Sequence, residues 1–92
     1  MDTLEDKLLK KMTASHSKHE MLESVAASAY ALFSWVECYN DNKSSNKLAE
    51  KNIPKILATL ELNIQLLKSA YYPHVKEWKE RLIQDTAKKY TL

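Results

Sequence analysis

Glycine is absent from this 92-residue sequence, although average usage of about 7% would give about six in a chain of this length. Neither a P-loop nor a dinucleotide-binding fingerprint can be written without glycine, so glycine-rich phosphate sites are excluded. Asn-Gly hairpin turns are missing for the same reason, which argues against a β fold. Apolar residues make up 45% of the chain, a content typical of globular rather than disordered proteins.

Cysteine occurs once, at Cys38, so no disulfide can form within the chain, as is usual in a reducing compartment. Charges interrupt residues 1–11 before any apolar signal-peptide core forms. The longest uncharged run, residues 24–36, is shorter than the roughly 20 residues that span a bilayer. These features predict a soluble cytoplasmic protein with no membrane span.

Arginine is also scarce, since Arg81 stands alone beside 13 lysines and the net charge is only +2. Arginine supplies the bidentate forks that read guanine and phosphate, whereas lysine acts as a flexible point charge. A surface dedicated to reading nucleic-acid sequence usually carries more arginine than this.

The stretch from residue 21 to residue 39 is the one around which the chain is organised, and it carries no charge between Val25 and Val36. Its apolar residues recur at alternating steps of three and four, at Leu22, Val25, Ala29, Leu32, Val36 and Tyr39. This spacing predicts a helix. Its far side is largely uncharged too, as expected of a helix at the centre of a domain.

Four helices are predicted in a single domain of residues 1–92, at about residues 3–12, 18–40, 53–72 and 74–90. Short connections between such helices indicate an all-α fold, a small antiparallel bundle of three to four helices. The core is expected to come from one stripe on each long helix: Leu22, Leu32 and Val36; Leu57, Leu60 and Ile64; Trp78 and Leu82.

The predicted helix ends rest on local capping chemistry. Thr3 with Asp6, and Ser17 with Glu20, have the spacing of capping boxes. Residues 13–17 are rich in Ser and Thr and predict a break, with a single bent helix over residues 3–40 as the alternative.

The later boundaries rest on a polar loop and two prolines. Residues 40–46 form the clearest loop. Pro54 suits the first turn of a helix with Asn52 as its cap, although a short helical turn over residues 47–51 is also expected. Pro73 either kinks the chain or opens the last helix.

Catalytic and metal-binding patterns are weak. His16 with Glu20, and His19 with Glu23, are helical i, i+4 pairs that could face zinc, but no CxxC or HExxH motif accompanies them. Cys38 lies in no nucleophile motif and is expected to be a buried packing residue. We therefore expect no enzyme activity, no metal and no cofactor.

Residues 45–56 resemble a helix-turn-helix motif, with Ala49 inside a first helix and Ile53 after a turn, although the register is one residue short. Lysines recur every four residues through the same region, at Lys43, Lys47, Lys51 and Lys55. On a continuous helix they would form a basic stripe able to meet phosphates or an acidic protein. A solvated face is the simpler interpretation, because Pro54 is expected to interrupt the helix.

The chain has more apolar and aromatic residues than one stripe per helix requires. Trp and Tyr are favoured anchors of protein interfaces, and the candidates are Tyr30, Trp35, Tyr71, Tyr72 and Trp78. The leading hypothesis is a non-enzymatic protein-interaction module that acts as an inhibitor, an immunity- or antitoxin-like partner, or an adaptor of another protein. A homodimer is the simplest form of association, and a nucleic-acid-binding regulator is the alternative function.

Overall fold

The computed structural model of the chain describes residues 2–41 and 46–92. Over these residues it contains four helices and no strand: α1 (Leu4–Ser15), α2 (Lys18–Asp41), α3 (Asn46–Tyr71) and α4 (Val75–Lys89). The predicted all-α class is confirmed. Residues 42–45 of the predicted loop at residues 40–46 lie outside the described residues. The remaining loop residues are helical, because α2 extends to Asp41 and α3 begins at Asn46.

Both predicted capping boxes are present. The Thr3 hydroxyl accepts from the Asp6 backbone N–H, and the Asp6 carboxylate accepts from the Thr3 N–H, both at 3.1 Å. Ser17 and Glu20 exchange the same two bonds, also at 3.1 Å. Because these side chains satisfy N–H groups that a helix cannot pair internally, α1 and α2 begin where the sequence predicts.

The break between α1 and α2 is narrower than predicted. Helix α1 continues to Ser15, and His16 in extended conformation then turns the chain. The hydroxyl groups of Thr13 and Ser15 donate to carbonyl groups one turn earlier, at 2.7 Å to Leu9 and 3.0 Å to Lys11. These residues therefore bond within the helix instead of ending it.

The predicted start of the third helix is wrong. Helix α3 begins at Asn46 and runs through Pro54 without a break. Asn52 is not a cap, because its side-chain amide donates to the Leu48 carbonyl at 2.8 Å. Ala49 is fully buried, so tertiary packing holds the first turns helical despite the N–H that proline lacks.

Most contacts between helices join α2 to α3, and α1 makes fewer contacts with α3. The pairing is antiparallel, because Asn63 of α3 bonds to Ser28 of α2 while Met21, further back in α2, packs with Leu66, further on in α3. Leu9 of α1 completes this buried cluster, which Met12, Leu62, Leu67 and Ala70 border. Two long helices and one short one thus form the packed body.

The expected core stripes are wrong in most positions. Only Leu32 and Leu60 of the predicted core residues are even half-buried, whereas Leu22, Val36, Leu57, Ile64, Trp78 and Leu82 are exposed. Helix α2 instead packs through Met21 and Ser28, with Trp35 half-buried one further heptad along. A helix apolar on nearly every side offers several usable stripes, so periodicity alone did not identify the buried one.

Helix α4 stands apart from this body. It contains no buried residue and makes no substantial contact with another helix over the described residues. The radius of gyration is 16.5 Å, against about 12 Å expected for a compact 92-residue domain. The three packed helices are the small bundle that the sequence predicts, and α4 extends from it, so the chain is more open than a closed four-helix bundle.

Helix α4 ends in a C-terminal cap that contains no glycine. The Leu92 N–H donates to the Ala87 carbonyl at 3.0 Å and the Thr91 N–H to the Lys88 carbonyl at 3.2 Å, the pattern of a Schellman motif. Thr91 takes the left-handed position with φ of 55°, which a β-branched residue adopts at some cost. This cap ends α4 with Leu92 folded back beside Ala87.

A polar cluster lies in the seam between α2 and α3. The Asn63 amide donates to the Ser28 hydroxyl at 2.7 Å and approaches the Ser24 carbonyl at 3.4 Å. The Ser28 hydroxyl, on a buried residue, donates to the Ser24 carbonyl at 2.8 Å. Because these bonds form only at one alignment of the two helices, they select the register of the hairpin.

Replacing Asn63 tests this role. We expect Asn63→Ala to lower the free energy of unfolding by about 1 kcal/mol, the net worth of a typical hydrogen bond. Asn52→Ala is the matched control, because that amide bonds only within its own helix. Urea unfolding followed by circular dichroism measures both, and equal losses would show that the bond between helices adds nothing.

Candidate protein-interaction surfaces

Helix α4 and the residues that end it carry several exposed large apolar side chains. Trp78 is 67% exposed, Leu82 65%, Ile83 56% and Tyr90 72%. Leu82, Ile83, Tyr90 and the folded-back Leu92 border a shallow, mainly apolar cavity of about 420 Å³. Trp78 lies one turn before Leu82 on the same side of the helix, with the Arg81 guanidinium 5.1 Å from its ring centre. Such a face is typical of a helix that binds in the groove of another protein.

The predicted aromatic anchors do not form one patch. Tyr30 is 73% exposed on α2, whereas Trp35 is half-buried on the face of α2 that also carries Met21 and Ser28. Trp78 lies on α4, beyond the turn at Pro73 and His74. Of these three, Trp78 and Tyr30 are exposed and available to a partner, while Trp35 is half-buried on the face that α2 turns towards α3.

Tyr71 and Tyr72 lie together where α3 ends. The Lys18 ammonium, at the start of α2, is 5.8 Å from the Tyr71 ring centre and 5.0 Å from that of Tyr72. These are cation–π distances, so the two rings help to join the open end of the hairpin. Each ring still leaves about two fifths of its surface exposed, at 40% and 39%.

The helix-turn-helix expectation is wrong in its geometry, because residues 46–56 belong to one continuous helix and contain no turn. The same continuity aligns Lys47, Lys51 and Lys55, all exposed, along one face of α3. That face points away from the residues that α3 turns towards α2. Lys43 lies outside the described residues.

A second cavity, of about 480 Å³, lies between α1, α3 and α4. Its charged lining comprises Glu5, Glu61, Lys68 and Lys79. Two carboxylates and two ammonium groups balance each other, so the cavity has no net charge with which to select an ionic ligand.

His19, Glu20 and Glu23 at the start of α2 are exposed, whereas His16, which precedes the helix, is half-buried. His19 Nε2 lies 2.9 Å from Glu23 Oε1, and His16 Nδ1 lies 3.1 Å from the Met12 carbonyl. No group of three His, Cys, Asp or Glu within residues 2–41 and 46–92 is placed to hold a metal. Cys38 is exposed, so the expectation that it packs in the core is wrong; it lies in the last turn of α2.

No helix of the described part of the chain is both long enough and apolar enough to cross a membrane. Comparison of the chain with family models, with curated proteins and with solved structures finds no match. The function of the chain is therefore inferred from its surfaces.

Two sets of residues important for these surfaces were missed from the sequence. One is the pair Ser28 and Asn63, which sets the hairpin register. The other is an apolar stripe on the exposed side of α2, to which Phe33, 58% exposed, belongs. The signal for the first was present: Ala49, Ile56, Asn63 and Ala70 recur every seven residues in α3, the spacing of a helix seam.

The two tryptophans provide a matched test of which aromatic residues are structural. We expect Trp35→Ala to lower the free energy of unfolding by about 2 kcal/mol, since it removes half-buried apolar surface. Trp78→Ala should change it by less than about 0.5 kcal/mol, as for other exposed positions. Urea unfolding of both variants checks this, and similar losses would mean that α4 packs on the body.

The pKa of Glu20 is lowered, first because its carboxylate accepts the Ser17 backbone N–H and bonds to the Ser17 hydroxyl, with a smaller effect of His16 and His19. A lowered folded pKa stabilises the fold above the unfolded value of 4.5. That contribution is lost as the pH falls through the folded pKa.

We therefore expect Glu20→Gln, which keeps the capping geometry but cannot ionise, to show a smaller fall in stability between pH 7 and pH 3 than the unmodified chain. Urea midpoints at the two pH values measure this. Glu50→Gln, which removes an exposed carboxylate of α3, is the control. If both variants respond to acid alike, the cap of α2 does not depend on the charge of Glu20.

Proposed function

We propose that this chain is a small, non-enzymatic, cytoplasmic protein-interaction module. It binds another protein as an inhibitor, an immunity- or antitoxin-like partner, or an adaptor. One observation carries the proposal: α4 contains no buried residue, and its large apolar side chains Trp78, Leu82 and Ile83 are exposed to solvent. Apolar surface of this extent on a soluble chain is typical of an interface.

The geometry of α4 supports binding in a groove. Val75, Trp78, Leu82 and Thr86 follow the i, i+3, i+7, i+11 spacing of one helical face, and amphipathic helices bind apolar grooves through such positions. Trp78 is the central anchor, since tryptophan is enriched among residues that dominate binding energy. The expected partner surface is an apolar groove several turns long.

The compartment in this proposal is supported by cysteine chemistry. Cys38 is a free, exposed thiol, and such thiols persist in reducing surroundings. The partner is accordingly expected among cytoplasmic proteins.

The experiment is a tagged pull-down from native lysate, with and without nuclease and at two salt concentrations. We expect a protein captured by the full chain to be lost when Trp78 and Leu82 are both changed to Ala, by roughly a hundredfold in affinity. Gln84→Ala is the matched control, because Gln84 lies on the opposite side of α4. Circular dichroism confirms that all three chains stay helical.

Two other results would redirect the proposal. Capture that is unchanged in the Trp78 and Leu82 variant would show that α4 is not the binding face. Nucleic acid recovered at low salt and lost with Lys51→Glu would favour the alternative of a nucleic-acid-binding regulator, in which the aligned Lys47, Lys51 and Lys55 contact phosphates.

A further inference from the structure

A second apolar face runs along the α2–α3 hairpin. On α2 its residues are spaced by alternating steps of four and three, at Leu22, Ala26, Ala29, Phe33 and Val36, and all five are exposed. On α3 the matching residues recur every seven positions, at Leu57, Ile64 and Tyr71, and these are exposed as well. A repeat of seven with two apolar positions is the pattern of a seam between packed helices.

Both stripes lie on the same side of the hairpin. Around α3, Leu62 and Leu66 face α1, Asn63 faces α2, and Leu57 and Ile64 come next on the side away from α1. Because α2 is antiparallel to α3, the positions that follow Ser28 and Met21 around α2 point to that same side. The hairpin is therefore a layer with α1 against part of one surface. The other surface carries the two apolar stripes, and Ile64 at its edge also borders the cavity shared with α1 and α4.

The exposed area is large enough for a stable interface. The accessible surface of the chain is 7,624 Å², against about 5,500 Å² expected for a folded monomer of this mass. The excess is about 2,000 Å², and a standard interface takes about 800 Å² from each partner. The hairpin face and α4 can each account for one such interface.

The stripe on α2 is complementary to itself. If two copies of α2 cross antiparallel with Ala29 against Ala29, then Ala26 meets Phe33 of the other copy and Leu22 meets Val36. Small side chains thus oppose large ones, as close packing requires. The seam lies within residues 24–36 over most of its length, where the chain carries no charge, so its centre buries none.

The apolar stripe on α3 is consistent with the same two-fold axis as the stripe on α2. Asn63 contacts both Ser24 and Ser28, so it lies level with Ala26, and Ala29 therefore lies level with Leu60. An antiparallel pairing of α3 with its copy sets Leu57 against Ile64, with its midpoint between Leu60 and Glu61. The two helices thus place the axis at the same height from independent residues.

We infer that this face binds a second copy of the chain. The two hairpins pack layer on layer as an antiparallel four-helix bundle, with α2 against α2 and α3 against α3 about a two-fold axis near Ala29. Such a contact is isologous, since each residue meets its partner's counterpart and the same patch serves both subunits. The surface is separate from the α4 face and does not depend on the proposed function.

Cross-linking at the axis tests the arrangement directly. In a Cys38→Ser background, Ala29→Cys should form a disulfide-linked dimer under mild oxidation, because residue 29 meets its own copy at a distance a disulfide can bridge. Ala27→Cys in the same background is the matched control, exposed on the opposite side of α2. No dimer from the position 29 variant, or equal yields from both, would overturn the inference.

Sedimentation equilibrium of the unmodified chain measures the same association without cysteine chemistry. We expect a dimer whose dissociation constant rises at least about a hundredfold in Phe33→Glu, which buries a charge at the seam. Tyr90→Glu, at a more exposed aromatic position at the end of α4, should leave the dissociation constant of the dimer unchanged while weakening capture of the other protein. A monomer over roughly a hundredfold range of concentration would overturn the inference and assign the face to α4 of the same chain or to another protein.

Discussion

The packing of α2 against α3 is the interaction on which the rest of the structure depends. Met21 is only 2% exposed and Leu66 only 3% exposed in this packing, and Leu9 of α1 belongs to the same buried cluster. The Ser28 and Asn63 pair stands in the same seam and allows one register. A shift of the hairpin by one turn would move the exposed stripe of α3 relative to that of α2, so the apolar face of the hairpin is a consequence of this alignment.

The second constraint is a shortage of helices relative to apolar faces. Two helices of 24 and 26 residues present more apolar area than one helix of 12 residues can cover. Helix α4 does not fill the gap, because Pro73 ends α3 and the chain leaves the body there. The excess of exposed apolar surface therefore follows from the number and length of the helices. Association with other chains is the usual way in which proteins remove such surface from water.

The sequence predicted the helices well and their packing poorly. Capping boxes at Thr3 and Ser17 are local chemistry, with both partners within three residues, so they could be recognised directly. The position of Pro54 inside α3 depends on the burial of Ala49, which is a tertiary effect. The choice between the stripe of Met21 and that of Leu22 on α2 also depends on tertiary packing, since both stripes are apolar and differ only by rotation about the helix axis.

Because no packed neighbour holds α4 in shape, its helicity depends mostly on its own 15 residues, a length at which isolated helices are marginal in water. If a partner binds only the helical form of α4, its apparent affinity equals the intrinsic affinity multiplied by the fraction of α4 that is helical. The Thr91 cap then becomes a means of tuning affinity from outside the interface. A residue better suited to the left-handed position there would raise the helical population, and with it the apparent affinity, without touching any contact.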